Sequence, residues 1–62
     1  MREFLERYLH EHVKIVKIDD FVIDGFIERV TDDCILFSSK GRERVIKFEA
    51  IREVVPLDRG RR

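Results

Sequence analysis

Apolar side chains fall on two different periods along this chain. From Arg2 to His12, Phe4, Leu5, Tyr8 and Leu9 recur at helical spacing with charges between them. That spacing predicts a helix of about three turns bearing one apolar stripe. A helix of this length is marginal alone in water, so the stripe must lie on other structure. From Val13 onward Val, Ile and Phe dominate and the period falls towards two. Val13 to Ile18 reads as a strand whose alternation slips between Ile15 and Val16, the mark of a bulge or of two covered faces. Asp19-Asp20 is a turn, and Phe21 to Val30 is the second strand. Thr31-Asp32-Asp33 is the next turn, followed by a third strand from Cys34 to Ser39. Lys40-Gly41 turns the chain into a fourth strand, Arg44 to Phe48. Glu49-Ala50-Ile51 fits one 3₁₀ turn, and Arg52 to Val55 is a short last strand closed by Pro56.

Gly25 stands inside the second strand, where glycine weakens the ladder and marks a sharp bend or a close backbone approach. A helix followed by five short strands with tight turns predicts a mainly β architecture: a strongly bent, partly open barrel. The expected organisation is a single domain over residues 1–56, with a helix at 1–12 and the barrel at 13–56. Residues 57–62 read as a basic, flexible tail, with three arginines against one acid and Gly60 among them.

Composition narrows this picture. Sixty-two residues are enough for one small domain. A chain this short buries only about 60% of the surface its unfolded form exposes, so its stability margin is thin. Cys34 is the single cysteine, which excludes an internal disulfide and suits a reducing compartment. Oligomerisation is then the expected support for the fold. No apolar run is long enough to span a membrane, and a cytoplasmic location is expected. Lys+Arg and Asp+Glu each number 13, so the net charge is zero, which argues against gripping nucleic acid by bulk positive charge. At 44% hydrophobic residues the chain is too apolar to be disordered.

Two stretches, read in order, carry a resemblance. The first is DDFVIDGFIERVTDDCILF: paired turn residues, Gly25 five positions on, apolar Ile27 and Val30, then Ile35 and Leu36. The second is FEAIREVVP, with Ala50-Ile51 leading to Val54-Val55-Pro56. Together they resemble the Sm-like family, the LSm proteins and bacterial Hfq. The resemblance spans about Val13 to Pro56, with the family's N-terminal helix before it. It implies an Sm-like (SH3-like) barrel that assembles as a homo-oligomeric ring of six or seven subunits. The fourth strand of one subunit would pair with the fifth of the next, with Val45, Ile46, Phe48, Val54 and Val55 at the seam. It also implies binding of single-stranded RNA. The family's nucleotide pocket, however, is chemically rewritten here. The uridine-stacking aromatic falls at Asp33, and the Lys-His pair before Ala-Ile is Phe48-Glu49. The acid that opens the loop falls at Thr31, with Asp32 and Asp33 after it, and the turn glycine before the second strand is Asp20. Asp32, Asp33 and Glu49 would bring carboxylates to a pore, where they repel phosphate.

Candidate RNA-contacting bases are Lys14, Lys17, Arg42, Arg44, Lys47, Arg59, Arg61 and Arg62. A ring would multiply such contacts. The same residues also read as solvated strand faces balanced by Asp19, Glu43 and Glu53. His10 and His12 are two apart, so on a helix they face about 200° apart and do not share a metal. Cys34 opens an apolar strand with no orienting acid or oxyanion donors, which predicts a buried structural thiol rather than a nucleophile. Phe26 shares its strand face with Asp24 and Glu28, so it is expected at the surface. No constellation supports an enzyme, and no cofactor or metal is expected. The sequence therefore reads as a ring-forming RNA-binding protein with an altered nucleotide pocket. The alternative is a ring-forming protein-interaction scaffold that does not bind RNA.

Overall fold

The computed structural model describes residues 1–57. The chain runs through a short helix α1 (Arg2–Glu6) and then strands β1 (His12–Lys17), β2 (Val22–Val30), β3 (Cys34–Ser39) and β4 (Arg42–Lys47). A single 3₁₀ turn (Phe48–Ala50) leads into β5 (Ile51–Pro56). The five strands form one antiparallel sheet in the order β4-β3-β2-β1-β5. This is the mainly β arrangement that the periodicity predicts.

The helix is shorter than the expected span of residues 2–12. It ends at Glu6, and the chain turns at Arg7-Tyr8. Tertiary pairing wins over helix propagation here. Leu9 forms a parallel bridge to Ile27, and the backbone N–H of His10 donates to the Ile27 carbonyl at 2.6 Å. His10 takes a left-handed conformation (φ 66°) to make that turn, so neither histidine sits at a helix end. Of the expected stripe, Leu5 is buried, Tyr8 packs against the core, and Phe4 and Leu9 remain exposed.

The strands bury one face around Leu5, Val13, Ile15, Ile27, Ile35, Phe37, Ile46 and Ile51. The slip in the first strand has a structural counterpart. Ile15 and Val16 are both buried, and the β1–β5 register shifts between Val16 and Lys17. A second irregularity in β2, between Ile27 and Arg29, shifts the register of its pairing with β3. Such bulges bend and twist a strand.

At Gly25 the backbones of β2 and β3 approach closely. A Cβ there would collide with the Ser38 carbonyl oxygen and come within 3.1 Å of the Phe37 ring. Beside it the buried Ser39 hydroxyl donates to the Asp24 carbonyl at 2.8 Å. At this same end of β3, Lys40 (φ 52°) and Gly41 (φ 80°) make a two-residue hairpin into β4, with Ser39 and Arg42 paired across it. Two consecutive left-handed residues are the signature of a type I′ turn, whose twist matches that of the strands.

Candidate functional site

The β2–β3 loop is organised by one hydroxyl. Thr31 Oγ1 accepts from the backbone N–H of Cys34 at 3.1 Å and of Asp33 at 3.4 Å. The Thr31 N–H donates to the Cys34 carbonyl at 2.9 Å, which closes the turn. A threonine thus performs the loop-closing role that a short acid serves equally well. Cys34 is half-buried rather than buried, with its Sγ 3.2 Å from Thr31 Oγ1. The loop is tied to the 3₁₀ turn by the Phe48 N–H, which donates to the Asp33 carbonyl at 2.9 Å.

That tie forms a cleft of about 370 Å³ lined by Asp32, Asp33, Lys47, Phe48 and Glu49. The four pocket positions anticipated from the sequence, Asp32, Asp33, Phe48 and Glu49, therefore come together, and Lys47 joins them. Sequence reasoning did not foresee that α1 braces this cleft. Arg2 forms an ion pair with Asp32 and another with Glu6, the latter at 3.0 Å. The Glu6 hydrogen bond, and then the charge of Asp32, hold the Arg2 guanidinium protonated more firmly than usual. The cleft thus carries three carboxylates and one lysine, with one carboxylate already engaged by Arg2. Its chemistry favours a neutral or cationic group over a phosphate.

The basic residues do not gather in one place. Lys47 lies in the acidic cleft. Arg44 lines a smaller groove of about 160 Å³ at the far end of the sheet, with Phe21, Val22, Ile23, Asp24, Ser39 and Lys40. Lys17 stands over the Phe21 ring beside that groove, its Nζ 5.7 Å from the centroid. Lys14 pairs across the ladder with Asp24 on one side and Val55 on the other. Arg42 is exposed at the start of β4. Arg59, Arg61 and Arg62 lie outside the described residues. Lys40 is the base that sequence reasoning missed. Only its place in a two-residue turn beside Gly41 signals that it reaches the groove.

Of the expected seam residues, Val45, Ile46, Val54 and Val55 sit on the two outermost strands, whereas Phe48, expected at the end of the fourth strand, opens the 3₁₀ turn. Val45 of β4 is 67% exposed, and Val54 and Val55 of β5 are half-buried. Ile46 belongs to the subunit's own core, and Phe48 packs on that core while lining the cleft. Among the described residues β4 pairs with β3 alone and β5 with β1 alone, so each presents an outer edge. No group of His, Cys, Asp and Glu with metal-holding geometry occurs among the described residues. Nor does any helix there have the length and apolarity to cross a membrane.

A short helix leading into five bent antiparallel strands, with β4 and β5 at opposite edges, is the Sm-like fold, and this chain has that fold. Among solved structures it is similar to the 1.55 Å crystal structure of the pleiotropic translational regulator Hfq. The TM-score is 0.80, with 22% sequence identity over 86% of this chain and 92% of that one. The fold that the sequence resemblance implies is thereby confirmed. No family model matches the chain, and no curated protein matches it.

Proposed function

We propose that this protein assembles as a closed homo-oligomeric ring and binds single-stranded RNA through it. The observation that carries the reading is the pair of open sheet edges at β4 and β5 in an Sm-like subunit. An edge strand left unpaired is a template for another chain, and a ring satisfies every edge in turn. Val45, Ile46, Phe48, Val54 and Val55 would lie along that β4-to-β5 seam, with six or seven subunits closing the ring. The protein similar in structure is a translational regulator, and the Sm-like resemblance implies RNA as the ligand.

The bases placed for this role are Lys17 and Arg44 beside the Phe21 groove, with Lys14, Arg42 and Lys47 elsewhere on the subunit and Arg59, Arg61 and Arg62 at the chain end. The Phe21 ring, with Lys17 over it and Lys40 and Arg44 lining the same groove, combines an aromatic surface with cations as single-stranded nucleic acid prefers. The acidic cleft supports a second reading, a ring that serves as a protein-interaction scaffold and has lost RNA. Asp32, Asp33 and Glu49 line a cleft whose charge repels phosphate.

One pair of measurements separates these outcomes. Light scattering after size exclusion should give a mass of several subunits at micromolar concentration; a stable monomer would overturn the ring. Titration with poly(A) and poly(U) should then show binding that weakens as salt rises. A ring that binds neither polymer at low salt leaves the scaffold reading standing and removes the RNA one.

A further inference from the structure

The outer face of β2 carries an aromatic ring that the barrel does not need. Phe26 is 45% exposed, while its neighbours Gly25 and Ile27 are buried on the opposite face. Across the ladder it faces His12, and the two rings stack with centroids 5.1 Å apart at an interplanar angle of 21°. His12 is held in turn by Asp24, Nε2 to Oδ2 at 3.1 Å. On the other side Phe26 pairs with Ser38 of β3, and Ser38 pairs with Glu43 of β4. Glu28 follows Phe26 along β2, its Oε1 3.9 Å from His10 Nδ1. The exposed ring is therefore bordered by the carboxylates of Asp24, Glu28 and Glu43, with Lys14 across the ladder from Asp24 and the exposed Arg29 further along β2 opposite Leu36.

One face of the ring is taken by His12, and among the planar groups that stack on an exposed phenylalanine are a nucleobase and a guanidinium. The border decides between them. A nucleotide brings its phosphate among three carboxylates and the two bases Lys14 and Arg29, a field with an excess of negative charge. A guanidinium gains the ring face and finds carboxylates at its edge, and its planar fork suits both. We propose that the outer face of β2, centred on Phe26, is a docking site for an arginine-bearing segment of a protein partner. The guanidinium lies on the Phe26 ring, with Asp24 and Glu28 as its counter-ions. β2 is the middle strand of the sheet, so pairing at the β4 and β5 edges leaves this face open. The site goes beyond the RNA reading and shares only Asp24 with the Phe21 groove.

The test uses the full chain and a fluorescently labelled peptide of alternating glycine and arginine, read by anisotropy. Saturable binding is expected, weakened about tenfold by Phe26→Ala, the scale of one cation–π contact. Asp24→Asn should weaken it as well, whereas Phe26→Tyr keeps the ring and should retain it. A lysine peptide of equal length should bind less tightly, since an ammonium lacks the fork. Circular dichroism on each variant establishes that the barrel persists. Phe26→Leu, which keeps bulk without a ring face, replaces Phe26→Ala if the latter fails to fold. Equal peptide binding by wild type and the folded ringless variant overturns the proposal. So does a ringless variant that loses poly(A) or poly(U) binding while keeping the peptide, because the face then belongs to nucleic acid.

Discussion

Gly25 is the residue on which the sheet turns. Nothing larger than a hydrogen fits between its Cα and the Ser38 carbonyl, and the obstacle is backbone that does not swing aside. Gly25→Ala is expected to destabilise the fold by about 3 kcal/mol or more, as overpacking does where the neighbour is rigid. Chemical denaturation measures this, and a loss under about 1 kcal/mol would mean that β2 and β3 separate easily. This role was legible in the sequence, because a glycine amid Val22, Ile23, Phe26 and Ile27 costs the strand stability unless the backbone needs the room. The left-handed residues were less legible. Asp20 stands where the Sm-like pattern has a glycine, yet it keeps the conformation (φ 71°) that glycine serves, and Asp20 pairs with Arg52. Short polar residues tolerate that region better than most, so the substitution alters the turn's composition and leaves its path unchanged.

Among the elements, the β2–β3 loop depends most on a single side chain. Thr31 Oγ1 accepts two backbone donors, and the loop it closes also meets the 3₁₀ turn through Asp33 and Phe48. Thr31→Val removes the acceptor and keeps the shape. It should cost about 1–2 kcal/mol in denaturant unfolding. Amide exchange at Asp33 and Cys34 should rise with it, and unchanged protection there would show that the loop closes without the hydroxyl. The strands and most of the turns were readable from period-two patterning and from Asp, Gly and Lys-Gly signals. The helix end was not. Phe4, Leu5, Tyr8 and Leu9 are correctly spaced for a longer helix, but the pattern carries no record of Ile27, whose backbone captures Leu9 and His10. Local periodicity reports what a segment favours alone, and a distant strand overrode it.

For the whole molecule, zero net charge hides an uneven distribution. Carboxylates line the cleft at one end, and Lys17, Lys40 and Arg44 border the Phe21 groove at the other. Under the RNA reading, neutralising the cleft with Asp32→Asn, Asp33→Asn and Glu49→Gln together should tighten poly(U) binding several-fold at low salt, an effect that fades as salt screens it. Unaltered affinity across the salt series would place RNA away from the cleft. The gathering of these acids was foreseeable by laying the chain along the Sm-like pattern. The Arg2 brace was not, because nothing local joins residue 2 to a loop thirty positions away. The central place of β2 also bears on how such a protein changes over generations. Its inner face and its glycine pivot are committed to the barrel, and under the ring reading assembly falls to β4 and β5. Substitutions at Asp24 and Phe26 therefore touch neither the core nor the sheet edges. Under the docking proposal, the middle of the sheet, usually the most constrained part of a small β protein, is here where specificity would change with the least disturbance to the rest.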